Sequence, residues 1–216
     1  MANITNITKG IFFDLDGTLW DSSAIVAEAW SRCIEEKTDR PERVTADDLK
    51  SYMGKTLNVI ASLIFPSLPP EEQMRIMRMC YVYEEEFIRK NRPAFFEGEE
   101  EVLRALSKEY KLAVVSNCQV GYIELYMDHC GWPELFCDFE SAGNTGLSKG
   151  QNIRLVMERQ GIDKCVYLGD TAGDEQASRE AGVPFIHAAY GFGTPEAPDA
   201  SIHSLSELAA AAAALI

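Results

Sequence analysis

Ile11-Phe12-Phe13-Asp14-Leu15-Asp16-Gly17-Thr18-Leu19 is the segment from which the architecture of this chain can be built. Three apolar residues run directly into two aspartates one position apart, followed by glycine and threonine. A short apolar run that ends in a polar turn predicts a strand buried on both faces. The acids then stand at its carboxyl end, where open α/β sheets gather their ligands. Alternation along extended backbone points Asp14 and Asp16 to one side, towards a single bound ion. Gly17 permits a sharp turn and a close approach of backbone to ligand. Turn chemistry alone accounts for an Asp-Gly pair at a strand end. It leaves the second carboxylate without a reason.

Working outward, the segment from Asp21 to Arg92 shows helical periodicity and no convincing strand. Val26, Trp30 and Cys33 fall at helical spacing behind Asp21 or Ser22 as cap. Thr45 and Asp48 form a capping pair for a short helix. Leu57, Ile60, Ala61 and Ile64 predict another, and Pro69-Pro70 opens a longer one with Ile76, Cys80, Tyr83 and Phe87 on one stripe. Seventy-odd residues are too many for a plain strand-to-helix connection. They predict a helical insert at the end of the first strand, placed where a lid can close over the acids.

From Phe96 the rhythm becomes helix, strand, helix, strand. Lys111–Val115, Leu135–Phe139, Cys165–Leu168 and Val183–Ile186 are the expected later strands, with Gly143–Gly146 as a glycine-rich loop. Ser204 and Glu207 predict a capping box for the last helix. With Ile11–Phe13 this makes five strands alternating with helices, hence a mostly parallel sheet covered on both faces.

Composition bounds the function. The chain has 216 residues, 46% hydrophobic and 25% charged, within the range of ordinary globular proteins. Its net charge of -14 argues against nucleic-acid and anionic-membrane surfaces and would repel a phosphorylated substrate at long range. Any anion site must therefore be locally cationic. Six scattered cysteines, Cys33, Cys80, Cys118, Cys130, Cys137 and Cys165, form no C-x-x-C pair and read as small buried hydrophobes in a reducing compartment. The first ten residues lack the apolar core of a signal peptide and no run reaches spanning length, so a cytoplasmic location is expected.

Four polar clusters follow a predicted strand or open a helix: Asp14 with Asp16, Ser116 with Asn117, Lys149, and Asp170 with Asp174. Four carboxylates at one sheet edge would repel one another without a cation. Their all-oxygen character suits a hard ion, and Mg2+ is the natural choice for phosphate chemistry.

Asp14-Leu15-Asp16-Gly17-Thr18-Leu19 resembles the first motif of the haloacid dehalogenase-like hydrolases, most of which are phosphatases. The order and context of all four clusters match that superfamily. Asp170-Thr171-x-x-Asp174, Glu180-Ala181-Gly182-Val183 and Tyr190-Gly191-Phe192-Gly193 are similar to its phosphoglycolate phosphatase branch. The resemblance implies a Rossmann-like three-layer α/β/α core, residues 1–20 and 93–216, with a small all-α cap over residues 21–92. One departure is Gly150 after Lys149, where many relatives carry proline.

The resemblance also implies roles. Asp14 is the nucleophile that forms an aspartyl-phosphate, and Asp16 the general acid and base. Mg2+ is held by Asp14, the Asp16 backbone carbonyl, Asp170 and Asp174, the last directly or through water. Ser116, Asn117 and Lys149 bind the phosphate. Tyr52-Met53-Gly54-Lys55 resembles the cap segment that faces substrate in that branch, so Gly54 and Lys55 are candidate specificity residues. The partner is a small phosphorylated metabolite, with neither nucleic acid nor membrane, for a monomer or homodimer.

Four other readings stand beside the phosphatase. A dehalogenase needs no metal and lacks the second aspartate. A phosphonatase replaces it and uses a cap lysine, a role open to Lys55. A sugar-phosphate mutase of the β-phosphoglucomutase kind shares every core residue named here. A non-catalytic binding protein could retain the fold.

Overall fold

The computed structural model describes residues 7–53, 55 and 57–216. Gly54 lies outside the described residues, as do residues 1–6 at the amino terminus. The chain divides into two compact units, one running to Trp20 and resuming at Phe95, the other Asp21–Ala94.

In the first unit the chain enters as β1 (Lys9–Phe13), leaves through the short β2 (Trp20–Asp21) and returns through β3 (Ala94–Phe95). There follow β4 (Lys111–Ser116), β5 (Phe136–Ser141), β6 (Lys164–Gly169), β7 (Phe185–Ala188) and β8 (Ala200–Ile202). The main sheet has the order β5-β4-β1-β6-β7-β8, and its neighbouring strands pair in parallel. Ile11, Phe12 and Phe13 are wholly buried, as a central parallel strand requires. Phe12 joins Ala113, Val115, Tyr167 and Phe185 under the helices Lys149–Gln160 and Ala172–Ala181. Phe13 turns the other way and meets Phe136 edge-on, with Tyr126 of the helix Tyr122–Cys130 behind it. The result is the expected three-layer α/β architecture.

The sheet has six strands among the described residues where five were expected. Ala200-Ser201-Ile202 is too short to show alternation. Its register comes from Asp199, whose carboxylate accepts from the Phe185 N–H and whose own N–H donates to the Phe185 carbonyl. Gly143–Gly146 is likewise no open loop. Ala142–Thr145 makes one helical turn, capped by the Ser141 hydroxyl and closed by Gly146 in the left-handed region (φ 71). The capping box of Ser204 and Glu207 does not form. Glu207 accepts instead from the His203 N–H, and the Ser204 hydroxyl pairs with Ser206.

The second unit holds the helices Ser23–Lys37, Ala46–Tyr52, Leu57–Ile64 and Pro70–Lys90. Ser22 is the N-cap of the first and makes no side-chain cap bond, Asp21 just before it accepts from the Ser23 N–H, and Thr45 with Asp48 forms a reciprocal capping box on the second. Along the longest helix the buried stripe is Ile76, Met77, Cys80, Glu84 and Ile88, while Tyr83 and Phe87 are only half-buried. Glu84 is tolerated inside because the Trp30 indole N–H donates to it at 2.5 Å. Four cysteines are buried as expected, but Cys118 is half-buried and Cys137 exposed; none is in a disulfide. Among the described residues, no helix is long and apolar enough to cross a membrane.

Candidate active site

Three neighbouring strands deliver the site. Asp14 follows β1, Ser116 ends β4, and Asp170 follows β6. In this sheet order β1 lies between β4 and β6, and the chain departs from it in both directions. That reversal opens a crevice at the carboxyl ends of the strands. Lys149 opens the helix behind β5, its entry set by a capping box between Ser148 and Gln151.

Lys149 ties the acids together. Its ammonium lies 2.9 Å from Asp14 Oδ1 and 2.5 Å from Asp174 Oδ1, with all three side chains buried. Burial opposes its charge, yet Asp14 and Asp174 hold its pKa well above the ordinary lysine range. The ammonium also stands 5.9 Å over the Tyr167 ring, whose hydroxyl donates to the Val115 carbonyl. Burial, then the charge of Asp174, pushes the Asp14 carboxyl up to about 6 against the pull of Lys149. Burial, then Asp174 and Asp14, push Asp170 up to about 8 although the Phe192 N–H donates to its Oδ2.

Ligand atoms of Asp14, Asp170 and Asp174 all lie within 4.8 Å of one another. Oδ1 of Asp170 is buried and has no hydrogen-bond partner. A buried carboxylate oxygen in that state is costly unless a cation completes it. Three carboxylates with an orphaned oxygen among them fit a hard divalent ion such as Mg2+. Asp174 is the most committed of the three. Its Oδ1 takes Lys149, and its Oδ2 takes the N–H and hydroxyl of Thr171 at 2.9 and 2.6 Å.

The Asp16 carboxylate is not one of these three, although the alternation argument set it beside Asp14. β1 ends at Phe13, and the following backbone curls: Thr18 N–H donates to the Leu15 carbonyl, and Gly17 takes φ 82. The Asp16 carboxylate is held instead by the Trp20 indole N–H at 2.8 Å and the Tyr122 hydroxyl at 3.0 Å.

The Tyr190–Gly193 loop closes one flank. A Cβ on Gly191 would stand 2.3 Å from Asp170 Cβ, and one on Gly17 would stand 2.4 Å from Asp170 Oδ2. Both glycines are therefore spacers that let backbone reach the acid. Tyr190 donates to the Thr18 carbonyl at 2.9 Å and joins the loop to the first motif.

Of the remaining candidates, Ser116 is buried at the end of β4 and Asn117 is exposed. Lys55 belongs to the other unit, is exposed, and its ammonium donates to the Ser51 carbonyl in the helix Ala46–Tyr52 that precedes it. Trp20, Tyr122, Thr171 and Phe192 were not among the sequence candidates. Thr171-x-x-Asp174 did carry a signal, since it has the spacing of a capping box. Tyr122 carried none, standing 106 positions from Asp16.

Comparison with known proteins follows the same outline. The family model described as haloacid dehalogenase-like hydrolase matches residues 11–188. The phosphoglycolate phosphatase of Shigella boydii is 26% identical over 237 residues, an alignment covering 93% of this chain and 90% of that protein. The phosphoglycolate phosphatase of Aquifex aeolicus is 28% identical over 188 residues, covering 84% and 85%. A haloacid dehalogenase-like family hydrolase from Streptococcus pneumoniae has a similar solved structure, with TM-score 0.80 at 22% identity over 96% of this chain and 99% of that one.

Proposed function

Since this chain belongs to the haloacid dehalogenase-like hydrolases, we propose that it is a Mg2+-dependent phosphatase of small phosphomonoesters, phosphoglycolate among the candidates. The observation that carries this reading is the Lys149 ammonium bridging Asp14 and Asp174 in a buried site. A nucleophilic carboxylate needs to stay ionised beside an anionic ester, and a buried lysine in hydrogen-bond contact favours the ionised form. The names of the Shigella boydii and Aquifex aeolicus relatives support the substrate class.

An Asp14 oxygen attacks phosphorus, and the bond from phosphorus to the ester oxygen breaks. Asp16 gives its proton to that leaving oxygen. Asp16, now a carboxylate, takes a proton from water as the water oxygen bonds to phosphorus. The bond to Asp14 then breaks, releasing inorganic phosphate and restoring the nucleophile. Lys149, the Ser116 hydroxyl and backbone N–H groups around Asn117 hold the non-bridging oxygens, where charge is redistributed. Asp14 and Asp170, with Asp174 and the Asp16 backbone carbonyl, would hold Mg2+, whose charge offsets the repulsion between anionic nucleophile and anionic ester.

Phosphate release from a panel of small phosphomonoesters with Mg2+ tests the reading. Release that stops in excess chelator supports it. Efficient isomerisation of a hexose 1-phosphate with negligible release would hand the site to a mutase. No turnover of any ester would leave a binding protein. Residues 21–92 are read as the cap that selects the leaving group. Within it Lys55 is proposed as a contact, so Lys55→Ala should raise KM more than it lowers kcat.

A further inference from the structure

Tyr167 is wholly buried on β6, and its two ends reach different parts of the site. Its hydroxyl donates to the Val115 carbonyl at 2.6 Å, and Val115 immediately precedes Ser116 at the end of β4. Its ring stands 5.9 Å from the Lys149 ammonium, within the range at which an aromatic face attracts a cation. β1 lies between β4 and β6, so this side chain spans the strand that leads into Asp14. Phe12 on that strand is its neighbour in register, and Ile153 and Val156 of the helix Lys149–Gln160 share its apolar cluster. A ring packed at interior density moves only if those neighbours move. It therefore holds its hydroxyl, and the strand end which that hydroxyl grips, in a fixed place relative to the start of the helix.

We infer that Tyr167 is a positioning residue that fixes the distance between Lys149 and Ser116. The inference rests on the phosphatase reading, in which those two side chains hold the phosphoryl oxygens. Lys149 opens a helix and Ser116 ends a strand, so packing between the two elements sets their separation. The oxygens of a phosphoryl group are themselves held at fixed spacing. Donors stabilise the charge on them in the transition state only when they are already placed to meet it. The bond from Tyr167 to the Val115 carbonyl forms as the sheet and helix fold together. The spacing is then set before substrate arrives and needs no reorganisation at the moment of reaction.

The test uses Tyr167→Phe with Mg2+ present, which keeps the ring and releases the Val115 carbonyl. Misplacing a reacting group by about an ångström costs about 10²-fold, so partial misplacement should lower kcat/KM for a small phosphomonoester by about tenfold or more. Calorimetry should show binding of orthovanadate, a mimic of the phosphoryl group in transfer, weakened by a similar factor. Tyr126→Phe is the control. It removes another buried hydroxyl, which donates to Glu99 at 2.5 Å, so it should lower the thermal midpoint and leave kcat/KM and vanadate affinity unchanged. Residues that act through one another are not additive. Tyr167→Phe should therefore cost less vanadate affinity in the Ser116→Ala background than in wild type. Vanadate affinity and kcat/KM unchanged in Tyr167→Phe overturn the inference. An equal loss in Tyr126→Phe, or full additivity with Ser116→Ala, overturns it as well, and each of these outcomes leaves the phosphatase standing. Wild-type protein that neither releases phosphate nor binds vanadate overturns the phosphatase reading and this inference with it.

Discussion

The Lys149 ammonium lies 2.9 Å from Asp14 Oδ1 although 135 positions separate the two residues. The same ammonium reaches Asp174, so one buried cation serves two buried acids. This arrangement makes the charge of Asp14, the charge of Asp174 and the stability of the unit depend on one another.

Lys149→Met leaves Asp14 and Asp174 as like charges without their common partner. Removing one member of a buried pair costs about 3–5 kcal/mol. Urea unfolding in chelator should show a loss of that order, and adding Asp174→Asn should recover part of it. A loss no larger than that of an exposed lysine would contradict the bridging role.

Asp14→Asn should abolish phosphate release and keep the fold. The amide oxygen still accepts from Lys149, but it cannot act as nucleophile. Because burial and Asp174 already disfavour the Asp14 charge, the thermal midpoint should hold or rise. Near-normal turnover would exclude a covalent intermediate on Asp14.

Asp170 gives a pH signature. Its carboxyl is held up to about 8, against about 4 for an unfolded aspartate. The folded state therefore binds this proton more tightly. The resulting stability is fully present below pH ~4 and is lost as the pH rises through about 8. In chelator, wild type should lose stability relative to Asp170→Asn across that window. Mg2+ ligation requires the carboxylate, so binding at pH 7 should release on the order of one proton. Calorimetry in two buffers of different ionisation enthalpy reads this directly. Equal heats in both would count against it.

Gly17→Ala should damage the metal site as well as the backbone. Gly17 has φ 82, and its Cβ would stand 2.4 Å from Asp170 Oδ2. Left-handed strain costs about 1–3 kcal/mol, and the clash pushes Asp170 aside. Gly161→Ala is the control: it has φ 61 with nothing within 4 Å of the added Cβ. Both variants should be destabilised, but only Gly17→Ala should weaken Mg2+ binding. Equal Mg2+ affinity in the two would show that Asp170 does not depend on that spacing.

The elements that local sequence specifies were legible in it. Ile11-Phe12-Phe13 could only be a buried strand, and Thr45 with Asp48 could only economically be a cap. The acids Asp14 and Asp170 were legible too, because each follows directly on an apolar run that ends at the site. The edge strand Ala200–Ile202 was not, since three residues carry no period and its register depends on Asp199 meeting Phe185. Glu84 was invisible as an interior residue because its partner Trp30 lies on another helix.

Sequence therefore set the order of strands and helices and the acids at the strand ends, since these follow from hydrophobic period and turn chemistry over a few residues, while the role of Lys149 entered only through the family resemblance. Tertiary structure alone decided that Asp16 accepts from Trp20 and Tyr122, that Asp174 is committed to Lys149 and Thr171, and that Asp170 keeps an orphaned oxygen. Those outcomes depend on donors brought together from distant parts of the chain. In a buried, low-dielectric site the position of each donor to within a fraction of an ångström determines which carboxylate is oriented, which is ionised and which is left for a cation.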